Sequence, residues 1–165
     1  MALSQRDRDI LRRLAERQAA IATLPVHQER AELWRRLNQL EPTRPLVWIN
    51  EIPWHEMDVN GELRLQAEDP WAREQETILR RTLYQWDHMP CDMVVNDYLM
   101  APMAIYSTGL GIDEDVDIAV TDEANDVVSR RFRRQIIDPE DIQKIRAPVV
   151  THDEAETNAR LALMR

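Results

Sequence analysis

Glycine is scarce. Three occur in 165 residues. The one close pair, Gly109 and Gly111, makes a Gly-x-Gly with no third glycine, so neither a glycine-rich phosphate cradle nor a dinucleotide fingerprint is present. Cysteine is scarcer still: Cys91 stands alone, which rules out an internal disulfide and fits a reducing, cytoplasmic setting. No stretch approaches the about 18 consecutive apolar residues of a membrane helix, and the opening residues lack the apolar core of a secretory signal. Positive charge is in deficit, with 21 Lys and Arg against 30 acids and a net charge of −9. Such a chain repels phosphates, which argues against a nucleic-acid partner. The arginine clusters at 12–13, 35–36, 80–81 and 130–134 are interleaved with acids or fall on expected helices, and they read as solvated faces. Length is also short, since a complete (β/α)8 barrel takes roughly 200 to 250 residues.

What is present is globular in composition: 44% hydrophobic, 31% charged, with five Trp to anchor a core or an interface. Ser4 predicts the cap of a helix over 4–22, with Asp7 near its positive end and Ile10, Leu11, Leu14 and Ile21 on one stripe. Pro25 opens a second helix, in which Leu33, Trp34, Leu37 and Leu40 continue the pattern until Pro42 stops it. His27 falls on the expected surface of that helix and His152 on that of another, so neither is given a special role. Pro45 to Ile49 is a short apolar run suited to a strand buried on both faces. Trp54–Val59 and Glu62–Ala67 flank Asn60-Gly61, a strong hairpin signal. Asp69-Pro70 starts a helix to about His88 whose inner face carries Ile78, Leu79, Thr82, Leu83 and Trp86. Cys91 to Leu99 reads as a second buried strand.

Beyond it, Val116–Thr121 alternates as a half-exposed strand. Val127–Ile137 reads as an extended segment or a basic helical turn. Asp138-Pro139-Glu140 opens a short helix to about Ile145. Thr151 and Glu154 form a capping box for a final helix. Buried strands at 45–50 and 92–98, joined through a helix, predict parallel neighbours in a right-handed βαβ unit.

In such a unit ligands bind where the loops leave the C-terminal strand ends. That brings Asn50, Glu51 and His55 from the first strand toward Asp97 from the second. Asp97 could orient a polar substrate or stabilise a developing cation, and His55 could act as a general acid or base. The plainer reading of the same residues is a strand end with solvated acids.

The run Met89 to Leu99 resembles the second barrel strand of uroporphyrinogen decarboxylases, with Asp97 matching the aspartate that faces the substrate in that family. Arg44 to Trp48 resembles the family's first strand, and Asp138 to Ile142 the short helix after a proline-marked loop. The resemblance runs over about residues 30–150. It departs where the decarboxylases place cationic residues, since no Arg or Lys lies between Arg44 and Arg64, and an eight-carboxylate substrate needs such cations. The helical N-terminus, the Asn-Gly turn and the Ile52–Glu56 loop look more like the corrinoid-dependent methyltransferases of the same superfamily.

The fold this implies is a helix-rich α/β, incomplete (β/α)8 barrel. It has an N-terminal helical extension over 1–43, then the first part of the barrel over 44–165 with two strands and hairpin insertions. Asp97 and His55 are the implied catalytic residues, and Asn50 and Glu51 the implied substrate-binding ones. The corrinoid is brought by a partner protein. The four His are too widely spaced for a metal site to be expected. Alone, the chain is expected to be inactive and to self-associate or need the rest of a barrel. The competing reading is a non-enzymatic helical interaction module.

Overall fold

The computed structural model describes residues 3–120 and 128–164. The fold is helix-rich α/β with small antiparallel sheets, and no barrel closes among the described residues. The chain divides into two compact units, Met1–Leu99 and Met100–Arg165. The first takes in the helices of 1–43 together with 44–99. Among the described residues no helix is long and apolar enough to cross a membrane.

In the first unit, α1 spans Gln5–Ala22, and the Ser4 hydroxyl caps it by accepting the Asp7 N–H at 3.1 Å. Helix α2, Pro25–Asn38, opens on its proline. A single helical turn, α3, covers Trp54–Met57. Helix α4, Pro70–His88, is capped by Asp69, whose carboxylate accepts the N–H groups of Trp71 and Ala72. The Asp7 carboxylate accepts the N–H groups of Glu68 and Asp69, just before α4. Arg17 grips Asp87 through two bonds of 2.7 and 2.8 Å near its end. Ties at both ends therefore lay α1 and α4 side by side in the same direction. Between them lies the core: Ile10, Ala72, Leu79 and Leu83, closed by Ala67, Met93 and Val95 from irregular segments. Burying each leucine contributes about 2 kcal/mol. Ile78, expected inside, is half exposed, because the inward stripe of α4 runs through Leu79 and Leu83.

The strands expected at 45–50 and 92–98 do not form, and neither does their parallel pairing. The segments do meet: the Asp92 N–H donates to the Val47 carbonyl at 3.0 Å, and the Asp92 carboxylate accepts the Val47 N–H at 2.9 Å. No ladder extends from that point, because helix side chains occupy the polar backbone of 92–96. The hairpin expected around Asn60-Gly61 is a turn without strands. Gly61 takes φ +73° there. Trp54–Met57 coils into α3, and the N–H groups of Gln66 and Ala67 go to the Glu76 carboxylate instead of a partner strand.

The second unit holds the sheets. Strand β1, Ile105–Ser107, pairs antiparallel with β4, Val150–His152. Strand β2, Val116–Ala119, pairs antiparallel with β3, Ser129–Phe132. Strands β2 and β3 fall on Val116–Thr121 and on Val127–Ile137, read as extended or as a basic helical turn, though Thr121 and Val127 lie outside the described residues, while β1 and β4 were not expected. A 3-10 helix over Pro139–Lys144 follows the Asp138-Pro139 signal. The last helix, α5, covers Glu154–Leu163. Its cap is Asp153, which accepts the Glu156 N–H at 2.9 Å, and not Thr151, which is spent in β4.

Helix α2 stops earlier than its apolar pattern. Leu40 lies past its end at φ +60° and is 93% exposed. Its N–H bonds to the Leu37 carbonyl and the Glu41 N–H to the Arg36 carbonyl, the paired bonds of a Schellman ending. Glycine is the usual residue there, because a Cβ is strained at positive φ. Leu40→Gly is therefore expected to raise stability by about 0.5–1 kcal/mol, read as a higher urea midpoint. A midpoint that stays put or falls would contradict the left-handed ending.

Candidate functional site

Helix side chains place both loops that carry the expected site residues. From α4, Gln85 donates to the Ile49 carbonyl at 2.8 Å and the Tyr84 hydroxyl to the Met57 carbonyl at 3.0 Å. Trp54 sets its edge against the Tyr84 ring and lies under the Arg81 guanidinium, 5.1 Å from the ring centre. Asn50 and Glu51 stand exposed on this loop. The His55 side chain is mostly covered, with Nε2 3.4 Å from the Glu56 carboxylate.

The segment leading to Asp97 is held from the other side. Gln18 of α1 donates to the Asn96 carbonyl at 2.9 Å. Three residues of α2 continue the hold: His27 Nδ1 accepts the Val95 N–H, Arg30 donates to the Met93 carbonyl, and the Trp34 indole donates to the Asp92 carbonyl. Their spacing of i, i+3 and i+7 puts them on one face of the helix. His27, expected on a helix surface, is buried. Asp97 follows this segment and is exposed. Among the described residues no hydrogen bond or ion pair joins it to Asn50, Glu51 or His55, and the sheet edge on which they were expected to meet is not formed.

Between these supports lies an open cleft of about 560 Å³, lined by Ala31, Trp34, Asn38, Trp48, Val94 and Asn96, with Arg35 at its side. Two Trp side chains beside carboxamides and a guanidinium suit a largely apolar ligand with a polar edge. The described residues contain no cluster of three or more His, Cys, Asp or Glu able to hold a metal ion. Comparison with known protein families, curated proteins and solved structures gives no match.

The strongest electrostatics in this unit are at three buried acids, of which the sequence singled out only Asp7. Asp92 takes a two-point grip from Arg44, 2.5 and 2.9 Å, besides the Val47 N–H. The Arg44 bonds first, then the Val47 N–H, hold its carboxyl down at about 2. Burial pushes Glu76 up. The Ala67 N–H, Arg80 at 2.7 Å and the Gln66 N–H outweigh it and leave the carboxyl below its usual range. Asp7 is lowered chiefly by the Glu68 N–H, against the opposing pull of burial. The sequence signal for Asp92 was an acid placed at the head of an apolar run, where burial demands a partner.

A carboxyl whose folded pKa lies below its unfolded value binds fewer protons folded than unfolded in the window between the two. The stability Asp92 lends is therefore complete above about pH 4 and lost as pH falls toward 2. Asp92→Asn is expected to cost about 2 kcal/mol at neutral pH through its lost charge-assisted bonds. It should also flatten the decline in urea midpoint between about pH 4 and 2. An acid limb unchanged in the variant would assign the decline to other groups.

Proposed function

We propose that this chain forms the N-terminal portion of a uroporphyrinogen decarboxylase-like protein of the corrinoid-dependent methyltransferase type, and that it works assembled with further polypeptide. The reading of its family rests on the resemblance at Met89 to Leu99 and at Arg44 to Trp48. The observation that carries the assembly is the surface of the second unit. Its one buried hydrophobic residue among those described is Ala104, while Ile105, Tyr106, Ile118, Phe132, Ile137 and Ile142 are half or more exposed. So small a segment with so little core does not hold itself together by burial. Each of its two-stranded sheets also leaves strand edges open. Polypeptide packed on these faces would supply the missing core and the missing strand neighbours.

In the proposal the chain binds and orients a small methylated substrate. Asp97 orients it or stabilises developing positive charge, His55 moves a proton, and Asn50 and Glu51 contact polar substrate atoms. The corrinoid arrives on a partner protein in the cytoplasm. One observation favours a second reading: no hydrogen bond or ion pair joins Asp97 to Asn50, Glu51 or His55 among the described residues. In that reading the chain is a non-enzymatic subunit whose exposed apolar faces dock a partner.

Purified alone, the chain is expected to bind a hydrophobic dye or self-associate, and Phe132→Arg should reduce both. Sedimentation as a monomer that binds no dye would remove the assembly argument. Co-purified with its partner polypeptide, the chain should turn over a methyl donor with a corrinoid protein. Asp97→Asn should then lose about 100-fold in kcat/KM without weakening the complex. A stable complex with no turnover would favour the docking subunit.

A further inference from the structure

His27 sits at the centre of the first unit with one nitrogen committed and the other without a partner. The residue is 4% exposed. Its Nδ1 accepts the Val95 N–H at 3.2 Å, so the neutral ring must carry its proton on Nε2, which is buried and makes no hydrogen bond among the described residues. Every other helix side chain holding this segment donates to a carbonyl: Gln18 to Asn96, Arg30 to Met93 and Trp34 to Asp92. These three donors remain donors throughout the physiological range. His27 is the one acceptor among them, and histidine is the residue type among them whose ordinary range lies near neutrality. A second proton can enter only at Nδ1, where it would face the Val95 N–H donor to donor.

We propose that His27 is a pH-operated latch on the Asp92–Asn96 segment: the neutral ring holds the Val95 amide, and the protonated ring releases it. The consequence reaches the cleft, because Val94 and Asn96, on either side of Val95, line it together with Trp34 and Trp48. Releasing Val95 loosens that lining and the approach to Asp97.

The surroundings set the direction. Helix α2 itself presents Arg30, whose guanidinium lies 5.5 Å from the centre of the Trp86 ring. Helix α4 presents Trp86, its ring centre 4.8 Å from that of the imidazole. Helix α1 presents the Ile21 carbonyl, and the held segment presents the Met93 carbonyl. Burial, then the Arg30 charge, disfavours the imidazolium, and the two carbonyls only partly offset them, so the ring titrates below its ordinary value. A histidine lowered on folding takes up protons more readily unfolded. The stability lent by the neutral ring is thus present above the ordinary value of 6.5 and declines as pH falls through it toward the folded midpoint.

The test is amide hydrogen exchange on the full-length chain, with ¹⁵N shifts of the His27 ring followed over the same titration. Val95 protection, corrected for intrinsic exchange, should fall by up to about tenfold per pH unit between the ordinary histidine value and the lower His27 midpoint of the folded chain. The Leu83 amide, in the core of α4, should hold. In His27→Gln, which keeps a neutral acceptor, the pH dependence at Val95 should vanish. Four results would overturn the latch. One is Val95 protection that stays flat between about pH 7.5 and 5 while His27 titrates. Another is a fall that persists in His27→Gln. The third is a neutral ring with its proton on Nδ1, and the last a ring still neutral when the whole protein unfolds. If His27→Gln does not fold, the tautomer and the matching of the two wild-type titrations decide.

Discussion

The first unit depends on satisfying backbone N–H groups without a β-sheet. Leaving one buried and unpaired costs about 1–3 kcal/mol, and its extended segments have no neighbouring strand to accept them. Four buried side chains take that part. Asp7 accepts for residues 68 and 69, Glu76 for 66 and 67, Asp92 for 47, and His27 for 95. Each acceptor is tied to a helix or to an opposing loop, so it positions as well as satisfies. Remove these bonds and the core leucines of α4 would still attract apolar partners, but nothing would fix which loop residues supply them.

The same arrangement links the packing to the candidate site. Helix α4 holds the loop bearing Asn50, Glu51 and His55, while α1 and α2 hold the segment that ends at Asp97. The loops are therefore set by separate helices, and the distance between them is governed by helix packing. Arg44 and Asp92 supply the direct bridge, joining the two segments at a single point through charge and through the Val47 backbone. All four acceptors bind their N–H partners best when deprotonated, so protonation weakens these ties.

The second unit solves the opposite problem. Its strands pair with each other and satisfy one another's backbone, with Arg133 reaching Asp117 across the β2–β3 ribbon at 2.6 Å. Yet almost no apolar surface is removed from water. The first unit has a core without a sheet, and the second has sheets without a core.

The amino-acid sequence by itself determined the long helices α1, α2 and α4, though not the single turn α3. Ser4, Pro25 and the Asp69-Pro70 pair act through bonds to neighbours within one turn, so their meaning is local and readable. The extended character of Val116–Ala119, the 3-10 turn after Pro139 and the turn at Asn60-Gly61 were legible for the same reason. What the apolar runs at 45–50 and 92–98 would pair with was not legible. An extended segment leaves its polar backbone to be satisfied from a distance, and a run of Val, Met and Ile serves a ladder or a side-chain cradle equally well. The tertiary structure chose the cradle, because Gln18, His27, Arg30 and Trp34 converge on the second run only once α1 and α2 are packed. It also separated Asp97 from the 50–55 loop in bonding terms, and it turned His27 from a surface residue into the buried acceptor for Val95.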